Sequence, residues 1–174
     1  PLVLMLETIA SIKMLPRAWK HIDWRQLRWL SLGAFIATPL GVSLLASAPA
    51  DTMRLVIYFT ILLMAVLIGS GINIAKRKNT ITMTTAGMAS GITNGAAGIG
   101  GLPLVVYFLS SNEKAVTFRA TLIAYFIGID IYACGLSAYR GLIDVELLFY
   151  VCLLIIPLLL GTVLGSRKFE KANP

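Results

Sequence analysis

The segment from Gly87 to Pro103, GMASGITNGAAGIGGLP, places glycine at positions 87, 91, 95, 98, 100 and 101, and it lies inside a stretch without charge that runs from Ile81 to Ser110. As one straight α-helix residues 81–110 would extend about 45 Å, too long for a simple crossing of a hydrocarbon core near 30 Å. Glycine at this density weakens a continuous helix and permits close backbone approach, so the segment reads as a broken membrane helix whose freed backbone groups meet a solute. A chain built around such a segment points to transport.

The surrounding composition agrees with a lipid setting. Hydrophobic residues make up 57% of the 174 residues, charged residues 13%, and the mean hydropathy is +0.83, whereas a soluble domain carries about 25% charge. The formal charge of +7 comes from lysines and arginines grouped at the ends of apolar runs. Membrane topology accounts for that grouping, and a nucleic-acid partner is not expected. Cys134 and Cys152 lie in apolar runs without a His, Asp or Glu cluster, so they read as buried reduced thiols, and neither a metal nor another cofactor is expected. Pro1 is followed by LVLMLETIASI without an initiating Met; residues 2–12 read as the tail of a helix, and an N-terminal cut is expected.

Four apolar runs stand clear of the charged connections. Trp29 to Ala48 and Met53 to Asn73 form one helical hairpin, and Val116 to Ser137 with Val145 to Ser166 forms another; each run is long enough to span. Lys13, Arg17, Lys20, Arg25 and Arg28 mark one cytoplasmic connection, Lys76, Arg77 and Lys78 a second, and Arg167, Lys168 and Lys171 a third. With Lys114 and Arg119 also inside, the segment from Ile81 to Ser110 leaves and returns to the same side. The expected form is a re-entrant hairpin with arms at Met83 to Ala97 and Leu102 to Leu109. The competing form is a full crossing, which puts the Arg167 cluster outside. Trp19, Trp24 and Trp29 suit an interfacial anchor, and His21, in the same basic patch, has no second ligand nearby.

A weak repeat follows from this layout. The stretch from Ile22 aligns with the stretch from Ile143, pairing Asp23 with Asp144 and, after a gap, Pro39 with Pro157. The copies run in opposite directions, as inverted halves of a secondary transporter would. Pro39 and Pro157 either kink their helices or serve as paired gates.

GMASGITNGAAGIGGLPLVVYFL, followed by the run from Phe118, resembles the second-half signature of the TauE/SafE family of sulfite and organosulfonate exporters; GAFIATPLGVSLL and the region from Gly141 to Phe169 resemble that family's paired membrane segments. The resemblance covers nearly the whole chain and rests most on Gly98, Gly100, Gly101 and Pro103. It implies an all-α, polytopic, multi-pass protein of the cell membrane with inverted-repeat architecture and a glycine-rich broken or re-entrant hairpin. Residues 1–174 would form one incomplete transmembrane domain, with 1–79 as a partial first half and 80–174 as a second half lacking its final helix. The implied function is secondary transport, in the outward direction, of a small sulfur-containing anion such as sulfite or an organosulfonate.

An anion in low-dielectric protein needs donors to replace its water. Half-helix N-termini around Gly98, Gly100 and Gly101 can supply N–H groups, and Ser90, Thr93 and Asn94 add neutral donors that bind without trapping the solute. Helix packing is the other reading of Ser90 and Thr93. Pro103 is architectural, in the first turn of the second arm. Asp130, an acid inside a span, is a candidate for proton coupling or for a vestibule role, and Arg119 is a candidate entrance charge or topology charge. Enzymatic chemistry has no support from a nucleophile or phosphate-loop pattern. The alternatives are a noncatalytic membrane assembly subunit and a transporter of a different small anion; a homo-oligomer is a candidate arrangement.

Overall fold

The computed structural model is all-α and describes residues 1–70, 79–111 and 113–172, with the side chains of Leu164 and of residues 166–172 left out. In chain order the helices are α1 (Leu2–Ala18), α2 (Trp24–Ser47), α3 (Ala50–Gly69), α4 (Thr80–Ala97), α5 (Gly101–Ser110), α6 (Ala115–Tyr139) and α7 (Val145–Ala172), with a 3-10 turn at Trp19–His21 between the first two. Asn73 and the Lys76–Lys78 cluster lie outside the described residues.

Local chemistry sets the helix ends. The Asp23 carboxylate accepts hydrogen bonds from the Arg25 and Gln26 amides at 3.0 and 3.1 Å, an N-cap that starts α2 at Trp24 instead of at the apolar residues from Trp29. On the other side α1 runs on through Pro16, so most of the expected Lys13 to Arg28 connection is helical. Asp144 plays the matching part at α7, where its carboxylate accepts from the Leu147 amide at 2.8 Å. Trp19 and Trp24, brought together across the short turn, meet edge to face with ring centroids 5.0 Å apart.

Glycine density does not interrupt α4, which is continuous across Gly87, Gly91 and Gly95. The interruption is confined to its end. Gly98 has φ of +69°, the left-handed conformation that costs glycine least, and its N–H donates to the Asn94 carbonyl at 2.8 Å. The internal glycines serve packing. A Cβ at Gly87 would strike the carbonyl oxygen of Leu30, one at Gly33 that of Thr84, and one at Gly41 that of Ile92; at Gly91 and Gly95 it would fall 2.6 and 2.7 Å from the carbonyl oxygens of Ala34 and Thr38. This is close small-residue packing of two helices, driven by contact where lipid removes any hydrophobic incentive to associate.

The same contacts fix direction. Leu30, Ala34 and Thr38 meet Gly87, Gly91 and Gly95 in rising order, so α2 and α4 run parallel. Asp23 donates its N–H to the Thr121 hydroxyl at 3.1 Å, Phe35 stacks on Tyr132 at 4.2 Å, and Arg140 donates to the Ser43 hydroxyl at 3.0 Å, so α6 runs parallel to both. The apolar core gathers Leu30 and Ala34, Met83, Leu104, Tyr107, Phe108, Tyr125, Phe126 and Ile129 between α2, α4, α5 and α6, while α1 packs along α6.

Among the described residues four helices are long and apolar enough to cross a membrane: Trp24–Ser47, Ala50–Gly69, Ala115–Tyr139 and the Val145–Val163 part of α7. Among the described side chains of α3 only Met53 is buried, and Leu55, Tyr58, Phe59, Leu62 and Val66 are exposed. A helix apolar on all sides is stable with that exposure in lipid and not in water. The protein is therefore a polytopic, multi-pass helical membrane protein. Cys152 is exposed on α7 and Cys134 is half-buried, both free thiols; the lipid-facing position of Cys152 departs from the expected buried pair.

Candidate functional site

Ser90 and Asn94 lie one turn apart on α4 and so share a face; with Asp130 on α6 they are completely enclosed, and Tyr125 is 1% exposed. Between them runs the backbone of the break. The Asn94 side-chain oxygen accepts from the Gly100 N–H at 3.3 Å, and its NH2 donates to one carboxylate oxygen of Asp130 at 2.6 Å. Ser90 donates to the Gly100 carbonyl at 2.6 Å and accepts from the Tyr125 hydroxyl at 2.9 Å. Two side chains of α4 thus satisfy both polar groups of one peptide residue in the break, and two side chains of α6 hold those side chains in turn.

Energetics explain why so many buried polar groups are tolerated. Each bond of this type is worth about 0.5–1.5 kcal/mol net, whereas each buried group left without a partner costs about 1–3 kcal/mol. Non-helical backbone at membrane depth survives only where protein or a water-lined path satisfies it. Here protein does so at Gly100, and the carboxyl group of Asp130 ends the chain of bonds. Its other oxygen, Oδ2, is buried and has no partner among the described residues.

The remaining predicted residues lie at the break, within α4, or away from it on α2, α6 and α7. Gly98, Gly100 and Gly101 are at the break, where Gly98 abuts Val3 of α1: a Cβ there would be 3.1 Å from the Val3 Cβ. Gly101 opens α5, and Pro103 is buried in its first turn, where an absent N–H removes no helical bond. Thr93 is half-buried and donates to the carbonyls of Ala89 and Ser90 at 2.9 and 3.1 Å, so its hydroxyl is spent within α4. Arg119 lies in the first turns of α6, about 16 Å along the helix axis from Asp130, and is not brought to the break. Pro39 is half-buried inside α2, and Pro157 is exposed inside α7.

Three features were not anticipated from sequence. Tyr125 completes the network from four helical positions before Ile129, and an aromatic in an apolar run gives no signal of a polar role. A second cluster ties the start of α2 to the α5–α6 connection: the Gln26 side-chain NH2 donates to Asp23 at 2.8 Å and to Glu113 at 2.9 Å. Gln26 is 1% exposed, and nothing in its setting between Arg25 and Leu27 marks it as buried. Glu7, also unremarked, is on the α1 face that buries Leu4 and Ser11. Among the described residues no group of three or more His, Cys, Asp or Glu is arranged to hold a metal ion.

Comparison with known proteins adds two findings. The family model described as "Sulfite exporter TauE/SafE" matches residues 1–174. A protein of Cupriavidus necator described as "Probable sulfite/organosulfonate exporter TauE" is 27% identical over 173 residues, covering 95% of this chain and 66% of that relative. The chain therefore spans just under two thirds of the length of the curated relative it matches. No solved structure matches it significantly.

Proposed function

Because the chain belongs to the sulfite exporter TauE/SafE family, we propose that it forms part of a secondary transporter, not an enzyme, that carries a small sulfur oxyanion or organosulfonate out across the cell membrane beside the α4–α5 break. The observation that carries this reading is the interruption of an uncharged helix at Gly98–Gly100, held by buried side chains in an otherwise lipid-compatible chain. The first turn of α5 contributes N–H groups and the positive end of a helix dipole, the usual substitute for an anion's water.

In this reading Ser90, Thr93, Asn94, Gly98, Gly100 and Gly101 flank the substrate path. The amide of Asn94 is engaged with Asp130 and Gly100, so an arriving anion takes over one of those bonds. The longer, 3.3 Å bond from Gly100 is the weaker of the two and the first to exchange. Neutral donors keep binding modest, which release requires. Asp130 is the coupling residue, and Arg119, near the start of α6, draws anions to the inner mouth.

We read α4 and α5 as the two arms of a re-entrant hairpin. Support comes from register: Gly87 packs on Leu30, so the start of α4 is level with the start of α2, and Glu113 meets Gln26 at that same level. The segment then enters and leaves on the side of Arg25 and Arg28. An inverted repeat is supported by Asp23 and Asp144, which cap α2 and α7 alike.

Sealed proteoliposomes holding the full-length protein test the reading through uptake and efflux of labelled sulfite, with sulfate and organosulfonates in parallel. Saturable flux that falls in Asn94→Ala at equal inserted protein is the expected result. A noncatalytic assembly subunit would instead leave flux proportional to the assembled amount, and absence of flux for every sulfur anion despite correct insertion would overturn the proposal.

A further inference from the structure

Glu7 is a carboxylate within the helical bundle that the break network leaves unused. It shares a face of α1 with the buried Leu4 and Ser11, and α1 packs along α6. Val3, one turn before Glu7, lies against Gly98, which is one turn after Asn94. Glu7 is therefore level with Asn94, whose NH2 bonds Asp130 on the neighbouring α6. Asp130 offers one oxygen to Asn94 and keeps the other, fully buried, without a partner among the described residues.

Among the described side chains, cationic groups are remote on the elements packed around this pair. α4 and α5 carry no charged residue, α2 carries none from Trp29 to Ser47, and Lys20 and His21 of the 3-10 turn sit at the far end of α1. Lys13 is the nearest cation along α1, about 9 Å beyond Glu7, and Arg119 and Arg140 are each about 15 Å or more from Asp130 along α6. Tyr125 and Cys134, on α6 itself, are the other titratable groups beside Asp130, and Glu146 of α7 is engaged at an exposed position by the Tyr150 hydroxyl.

We propose that Glu7 and Asp130 form a single proton-binding site across the α1–α6 contact, and that Asn94 links its occupancy to the break at Gly100. Two carboxylates that share a low-dielectric site without a nearby cation are neutralised by a proton held between them. When the proton sits on Asp130, the charge-assisted bond from Asn94 weakens, the carboxamide turns, and the Gly100 N–H becomes available to an anion. When it leaves toward Glu7, the Asp130–Asn94 bond re-forms and Gly100 is covered again. Linkage is reciprocal, so a bound anion also favours the proton, and the two are carried together. This mechanism rests on the transport reading above and deepens it with a coupling ion.

The test uses the full-length protein in proteoliposomes with labelled sulfite and, in parallel, an organosulfonate whose charge does not change with pH. The wild type is expected to accumulate label on an imposed pH step, Glu7→Gln to lose at least about tenfold of that accumulation while keeping counterflow exchange at equal pH, and Asp130→Asn to lose the pH-driven accumulation as well. Infrared difference spectra of the purified protein between acid and alkaline pH should contain a carboxylic-acid carbonyl band that both substitutions remove and Asp144→Asn leaves. Accumulation driven by a sodium gradient at constant pH, undiminished pH-driven accumulation in Glu7→Gln, or a band unaffected by either substitution would overturn the inference. Absence of both accumulation and counterflow in the wild type sinks the transport reading separately, and the infrared band then still decides whether the proton site exists.

Discussion

At Gly87 a methyl group would be driven into the carbonyl oxygen of Leu30, whereas at Gly128 and Gly135 it would meet nothing within 4 Å. Glycines of one apolar chain are thus unequal, and the difference is measurable. Gly87→Ala forces two backbones apart and should cost about 1–3 kcal/mol; Gly128→Ala should be neutral or gain up to about 1 kcal/mol of helix propensity. Thermal unfolding of the detergent-purified variants checks this, and equal behaviour of the two would refute the packing argument. The break network gives a second contrast. Ser90→Ala strands both the Tyr125 hydroxyl and the Gly100 carbonyl and should destabilise by about 1–3 kcal/mol for each buried group left unpaired. Tyr125→Phe removes the hydroxyl together with its need for a partner and leaves the Ser90 bond to Gly100, so its cost should stay below that of Ser90→Ala in the same assay. The motif residues at 98, 100 and 101 were legible in sequence because no other residue type is so permissive. Tyr125 and Glu7 were not, since their roles arise from what stands opposite them on another helix.

Among the elements, α4 and α5 carry the most specific structural claim. The expected arms, Met83 to Ala97 and Leu102 to Leu109, fall within the two observed helices, because a left-handed glycine ends one helix and a proline in a first turn suits the next. The start of α2 was misjudged for an equally physical reason. An N-cap and a polar first turn extend a helix beyond its apolar run, so Trp24 to Arg28 belongs to α2 although its residues resemble a surface connection. If the hairpin is re-entrant, Asn79→Cys and Lys114→Cys, in protein freed of Cys134 and Cys152, should both react with an impermeant thiol reagent from the side that holds Arg28. Labelling of the two positions from opposite sides would instead establish a full crossing. Gly98 supplies a complementary test of the turn: Gly98→Asn should be tolerated better than Gly98→Val, since a β-branched residue at positive φ is a steric outlier and asparagine is not.

Across the whole molecule, α2, α4 and α6 run parallel around one core, and the α4–α5 break sits among them where buried side chains from two helices reach it. If that break is the substrate path, Asn94→Ala should lower sulfite flux by about tenfold or more, the effect of losing one hydrogen bond of about 1.4 kcal/mol in the rate-determining state, with insertion unchanged by quantitative immunoblot. Unaltered flux per inserted molecule would argue that Asn94 only braces the fold. Composition, the lengths of the apolar runs and the grouping of charge determined by themselves that this is a multi-pass helical membrane protein, because lipid admits few other structures for an apolar backbone. The glycine and proline pattern likewise determined where one helix had to end. Tertiary structure alone decided that Gly87, Gly91 and Gly95 pack against α2 instead of breaking α4, and that Asp130 meets Asn94 thirty-six positions away. Partners across helices depend on rotation and register, which single-helix periodicity does not encode.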